Sequence, residues 1–135
     1  MRTLMVSSIL LFLLLPVLGC DGKPFTTNIS ESIKMSKEIK VIFGDGNELT
    51  ISDKATLEKV LGEIKSINFE RIEIPDSVGQ NFSLRLENGL EYTSTGYLKI
   101  NKTYYKAKDT KIVVNLDDYI VALGKEKILG LLGGK

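Results

Sequence analysis

Phe82-Ser-Leu-Arg-Leu-Glu-Asn-Gly-Leu-Glu-Tyr-Thr-Ser94 carries the clearest local signal in the chain. Phe82, Leu84 and Leu86 alternate with Ser83 and Arg85, the period of a strand with one face buried. Asn88-Gly89 supplies the residues of a tight type I′ turn, and Leu90, Tyr92 and Ser94 continue the alternation beyond it. An antiparallel hairpin follows, and the flanking segments either extend its sheet or cover it.

Toward the C-terminus, Tyr97 to Ile100 and Thr103 to Ala107 flank Asn101-Lys102 and predict a second tight pair, after which Lys111 to Val114 reads as a last strand. Asn115 is then a candidate cap for a closing helix whose Leu116, Ile120 and Leu123 share a face. Asp117 and Asp118 fall in the first turn of that helix, where negative side chains are favoured, so their position accounts for them structurally. Gly124 is placed to stop the helix, with a short turn over Glu126 to Leu132.

Toward the N-terminus, Pro75-Asp76-Ser77-Val78-Gly79-Gln80 reads as a loop. The change of phase between Ile67, Phe69 and Ile72, Ile74 predicts a bulge or two short strands. Leu57, Val60, Leu61 and Ile64 recur at helical spacing behind Ser52-Asp53, predicting a helix over Lys54 to Ser66, with Gly62 weakening it by roughly 1 kcal/mol relative to Ala. Ile39, Val41 and Phe43, a turn at Gly44-Asp45-Gly46-Asn47, and Leu49 with Ile51 form a first hairpin. The order predicts an α+β fold: one small domain over residues 37–135, a mostly antiparallel sheet of about five to seven strands, one central and one C-terminal helix.

Composition narrows the chemistry. Arg2 is the only charge in residues 1–19; removing it from the 18 Lys and Arg leaves 17, against 17 Asp and Glu. A balanced chain offers no single-sign field, and its basic and aromatic residues form no stacking groove, so nucleic-acid binding is not expected. Histidine and tryptophan are absent and there is one cysteine. Ser-His and Cys-His catalysis and a zinc mechanism are thereby excluded. Asp45, Asn47 and Asp53 lack the glycine and terminal glutamate of an EF-hand, so no metal site is expected there.

The first twenty residues give a location. Arg2 forms a short positive region, Leu4 to Val17 is almost uninterruptedly apolar, and Leu18-Gly19-Cys20 follows. At about 1.5 Å per residue, the roughly 15 residues from Leu4 to Leu18 are too short for a hydrocarbon core near 30 Å. Val17-Leu18-Gly19-Cys20 resembles the lipobox of bacterial lipoproteins. The resemblance implies cleavage between Gly19 and Cys20, removing a signal peptide over residues 1–19, and diacylglycerol on the Cys20 sulfur, with an N-linked acyl chain as a further option. It implies no other cofactor. Two or more acyl chains hold a protein stably at a bilayer. The expected location is the cell membrane, lipid-anchored and facing the extracytoplasmic side; Asp21 corresponds in two-membrane bacteria to the inner-membrane retention signal. Residues 20–36 then read as the lipidated cysteine and a flexible tether, with docking of Ile29, Ile33 and Met35 onto the domain as the alternative. With its element order, the mature chain resembles small lipoproteins of low-GC Gram-positive bacteria that carry one domain of unknown function behind a lipobox. In that setting the Asn28, Asn81 and Asn101 triplets read as ordinary residues and not as glycosylation sites.

Two side-chain sets are candidates for function. Tyr92, Tyr97, Tyr104 and Tyr105 lie on neighbouring predicted strands and, with Lys99 and its neighbours Lys102, Lys106 and Lys108, could make a sugar- or peptide-binding face. The same tyrosines also serve as half-buried strand residues, with lysines solvating the exposed face. Glu70, Glu73, Asp76, Glu87 and Glu91 are the carboxylates from which a glycosidase-like pair would be drawn, although alternation puts most of them on a wet face. The expected function is a non-catalytic binding or interaction module of the cell envelope. Its partners would be membrane lipid through Cys20 and an envelope protein or cell-wall polymer, the alternative being an accessory lipoprotein with no dedicated ligand.

Overall fold

A computed structural model describes residues 29–33, 36–76 and 79–133. The signal peptide, the Gly19–Cys20 cleavage and the Cys20 lipid attachment expected from the sequence, and Met35, lie outside the described residues. Among those described, the order is α1 (Ile29–Ser32), β1 (Ile39–Phe43), β2 (Glu48–Ile51), α2 (Lys54–Ser66), β3 (Phe69–Ile72), β4 (Phe82–Leu86), β5 (Leu90–Thr93), β6 (Tyr97–Ile100), β7 (Thr103–Ala107) and α3 (Thr110–Lys127), closed by a 3-10 turn over Leu131–Gly133.

The strands form one sheet in the order β2-β1-β4-β5-β6-β7-β3, and every neighbouring pair is antiparallel. This is the small α+β domain with a central and a C-terminal helix that the pattern implies. Ile39, Val41, Phe43, Phe82, Leu84, Leu90, Tyr92 and Leu98 point to the inner face. There they meet Leu57, Val60, Leu61 and Ile64 of α2 and Val113, Leu116 and Ile120 of α3 in one core. Removing these apolar surfaces from water is the main force holding helices to sheet.

The central hairpin departs from the expected turn. Only Gly89 has positive φ (78°), and its amide donates to the Leu86 carbonyl, so three residues, Glu87-Asn88-Gly89, connect β4 to β5. This is a type I turn followed by a left-handed residue, a loop that asks for glycine at its third position alone. Gly44-Asp45-Gly46 joins β1 to β2 in the same way, with the Gly46 amide bonded to Phe43.

The C-terminal region needs a larger correction. Lys111 to Val114 is not a strand, Asn115 is not a cap and Gly124 does not stop a helix; all lie within α3. Ile112-Val113-Val114 has the β-branched composition of a strand, but Val113, Leu116, Ile120 and Gly124 are spaced to seal one helical face against the sheet, and that burial prevails over local propensity. Asp117 and Asp118 consequently sit in the body of the helix, and the helix-terminus explanation for them fails. The helix entry is fixed from the residue just before β3: Asp109 Oδ2 accepts from both the backbone and side-chain nitrogens of Asn68, at 3.0 and 2.9 Å.

The segment assigned to the tether is also partly folded. Ile29 and Ile33 are buried in the core beside α2, one helical turn apart, and Asn88 Nδ2 donates to the Ser32 carbonyl at 3.0 Å. The packed domain therefore includes Ile29–Ile33 and does not begin at Lys37. Ile74, by contrast, belongs to no strand and is exposed.

Candidate functional site

Topology leaves the outer sheet face without a helix and then brings one loop across it. Strands β3 and β4 run in the same direction but lie at the edge and third from the opposite edge, so the connection from Ile72 to Phe82 must return along the sheet. The helices occupy the inner face, and the return passes over the outer one. Pro75, Asp76 and Gln80 of this loop stand opposite Glu91 and Thr93 of β5, Tyr97 and Lys99 of β6 and Tyr104 of β7. Between them is a cleft of about 360 Å³, within the size range of small-ligand sites.

Register dictates which side chains share its floor. Directly paired residues face the same way, so one row runs Lys40, Arg85, Glu91, Lys99, Tyr104, Ile72 across β1, β4, β5, β6, β7 and β3. The next row runs Ile42, Ser83, Thr93, Tyr97, Lys106, Glu70. The tyrosine face expected from the sequence is thereby divided. Tyr97, Tyr104 and Lys99 come together in the cleft, whereas Tyr92 (0% exposed) and Tyr105 (8%) pair with Leu98 on the inner face.

Lysines hold the two cleft tyrosines. Lys106 Nζ lies 3.7 Å from the Tyr97 ring centroid and donates to the Thr95 carbonyl at 2.9 Å; Lys99 Nζ lies 5.4 Å from the Tyr104 centroid. Cation–π contact of this kind restrains an exposed ring. Glu91 is drawn toward Arg85 at 3.8 Å, leaving its carboxylate at the cleft margin. Of the acidic set, Asp76 and Glu91 line the cleft. Glu73 lies in a neighbouring depression with Arg71, Lys102 and Tyr104, Glu70 pairs with Lys108, and Glu87 sits in the β4–β5 turn. The arrangement offers aromatic faces, acceptors at Asp76 and Glu91, and donors at Lys99 and Gln80.

A second polar cluster joins the sheet to α3. Tyr92 Oη donates to Asp117 Oδ1 at 2.9 Å, and the Thr95 amide donates to Asp117 Oδ2 at 2.6 Å. Burial raises the Asp117 carboxyl above its ordinary range, against the lowering effect of the Thr95 and Tyr92 bonds; burial, then the Asp117 charge, raises the Tyr92 phenol. Thr95 itself has φ 74°, the left-handed region that β-branched residues avoid.

The remaining carboxylates weighed for metal binding have structural roles. Asp45 accepts the amides of Leu132 (2.7 Å) and Asn47 (3.1 Å), which lower its pKa, and Asp53 caps α2 through the Thr56 amide at 2.9 Å. Among the described residues no group of three or more His, Cys, Asp or Glu side chains is placed to hold a metal, and no helix is long and apolar enough to cross a membrane. No family model, curated protein or solved structure matches this chain.

Proposed function

We propose that this chain is a lipoprotein of the cell envelope, anchored through Cys20, whose domain faces the extracytoplasmic side and acts as a non-catalytic binding module. The observation that carries the proposal is the concave site on the uncovered sheet face, with Tyr97 and Tyr104 rising from its floor and Pro75, Asp76 and Gln80 forming its far wall. Half-exposed tyrosines restrained by neighbours bind at low entropic cost, because little ordering is left to pay for. The partner on this reading is an envelope protein or a cell-wall polymer, with membrane lipid engaged separately by the acyl chains.

An accessory role without a dedicated ligand is the second reading, and one observation favours it. On the β1–β4 side of the same face, Lys40–Glu48 and Arg85–Glu91 alternate in sign, as on an ordinary solvated surface. The two separate by co-sedimentation of the detergent-solubilised full chain with lipid-extracted cell envelopes, which offer the acyl chains no bilayer. The binding-module reading expects retention that the Tyr97→Ala/Tyr104→Ala double variant loses. Equal retention of both proteins contradicts it.

A further inference from the structure

We infer that the cleft takes a neutral, hydroxyl-rich saccharide segment, an inference that rests on the binding-module reading above. Three features of the site select this class. The first is charge balance. Asp76 and Glu91 stand against Lys99 in the lining, and Lys106 adds a second cation beside Tyr97. A polyanion or a polycation entering such a site meets a like charge for each opposite one and gains little net attraction.

The second is the kind of surface at the floor. Strands β5, β6 and β7 are each paired on both sides, so their backbone N–H and C=O groups are committed to the sheet. A peptide cannot be captured here by adding a strand, the mode that open sheet edges provide. Recognition must come from side chains: flat rings and side-chain acceptors and donors.

The third is the arrangement of those side chains. Tyr97 lies opposite Lys106 and Tyr104 opposite Lys99, which places the two rings diagonally on adjacent strands, roughly 7–8 Å apart at the backbone. A sugar ring presents an apolar C–H face to such a surface and a rim of hydroxyls that the Asp76 and Glu91 carboxylates accept and the Gln80 amide both accepts and donates to. A carboxylate accepting from a neutral hydroxyl forms a charge-assisted hydrogen bond without an ion pair, which suits a ligand carrying no charge.

Tyrosine ring resonances give the direct test, because the chain has five tyrosines and two of them line the cleft. The full chain, ring-labelled at tyrosine and held in detergent micelles, is titrated with neutral β-linked N-acetylglucosamine and glucose tetrasaccharides. Parallel titrations use an anionic glycan and an uncharged tetrapeptide. The inference expects the neutral saccharides to shift Tyr97 and Tyr104 and leave Tyr92, Tyr105 and Tyr119 in place. Tyr97→Ala or Tyr104→Ala should weaken that binding at least about tenfold. Glu91→Gln, which keeps both rings, should weaken it severalfold, and an unchanged Tyr92 resonance certifies the fold of each variant. If the peptide or the anionic glycan shifts Tyr97 and Tyr104 as strongly as the neutral saccharides or more so, the saccharide assignment is overturned while the cleft remains a binding site. If none of the probes moves either ring, the saccharide assignment is overturned, and envelope retention then decides separately whether the binding-module reading survives.

Discussion

Tyr92 and Asp117 meet through a 2.9 Å hydrogen bond that joins the inner face of the sheet to the middle of α3. The connection continues beyond the pair. Asp117 also receives the Thr95 amide, the Thr95 carbonyl receives Lys106 Nζ, and the same ammonium lies over the Tyr97 ring. A side chain of the helix layer is thus linked through the β5–β6 turn to a tyrosine on the opposite face. Asp117→Ala should destabilise the protein by about 1–3 kcal/mol in denaturant unfolding, because the buried Tyr92 hydroxyl and the Thr95 amide both lose their acceptor. An unchanged midpoint would show that the pair contributes nothing.

Asp117→Asn gives the sign of the electrostatic contribution. An amide can accept from the Thr95 amide through Oδ1 and donate to Tyr92 Oη through Nδ2, so the bonds survive without the charge. Because burial raises the Asp117 pKa in the folded state, the folded protein binds this proton more tightly than the unfolded chain, whose value is about 3.9. Wild-type stability should therefore rise relative to Asp117→Asn as the pH falls from 7 through the folded pKa toward about 4. Asp45 and Asp53, whose pKa values are lowered, act oppositely: their contribution is present above the unfolded value and is lost as the pH falls through the folded one. They are common to both proteins and cancel in the difference. Parallel melting-temperature profiles between pH 7 and pH 4 would contradict this assignment.

Thr95 holds a left-handed conformation that a β-branched residue adopts at a cost. Thr95→Gly retains the amide that Asp117 binds and should raise stability by about 1 kcal/mol in urea unfolding. A loss of stability would mean that the threonine side chain supplies more than the strain removes.

Two glycines in helices should respond in opposite directions to alanine. A Cβ at Gly62 meets nothing within 4 Å, so Gly62→Ala should stabilise by up to about 1 kcal/mol. At Gly124 the added carbon would overlap the Phe43 ring and lie 2.5 Å from Leu131 Cδ2. Gly124→Ala should cost about 1–3 kcal/mol despite its better helix propensity. Thermal unfolding of the two variants checks both signs.

Ile33 is 2% exposed in the core. Ile33→Ala should therefore destabilise the domain by about 2–4 kcal/mol, whereas a residue in a free tether would leave stability untouched. Denaturant unfolding of the full chain distinguishes the two.

Local pattern revealed most of the fold. Alternation in β4 and β5 and the spacing of Leu57, Val60, Leu61 and Ile64 correspond to the observed strands and to a helix over Lys54–Ser66. The first turns of α3 were obscured because Ile112-Val113-Val114 are β-branched and Gly124 has the identity of a helix stop, although its role is close packing against Phe43. The cleft was legible only in part. Tyr97, Lys99 and Tyr104 could be named, but Tyr92 and Tyr105 could be separated from them only by register, and Pro75, Asp76 and Gln80 join them through a strand order that no local signal encodes. Asp117 carried one clue, helical spacing from Val113, which the strand-like composition before it concealed.

Photo-crosslinking inside the cell tests the central claim most directly. A photoreactive residue is placed at Gln80, in the cleft wall, or at Val114, exposed on α3, with Cys20 intact or changed by Cys20→Ser. The account predicts a discrete adduct with an envelope component from position 80, none from position 114, and loss of the adduct when Cys20 is replaced. Equal labelling from the two positions, or no adduct from position 80 in the anchored protein, would contradict it.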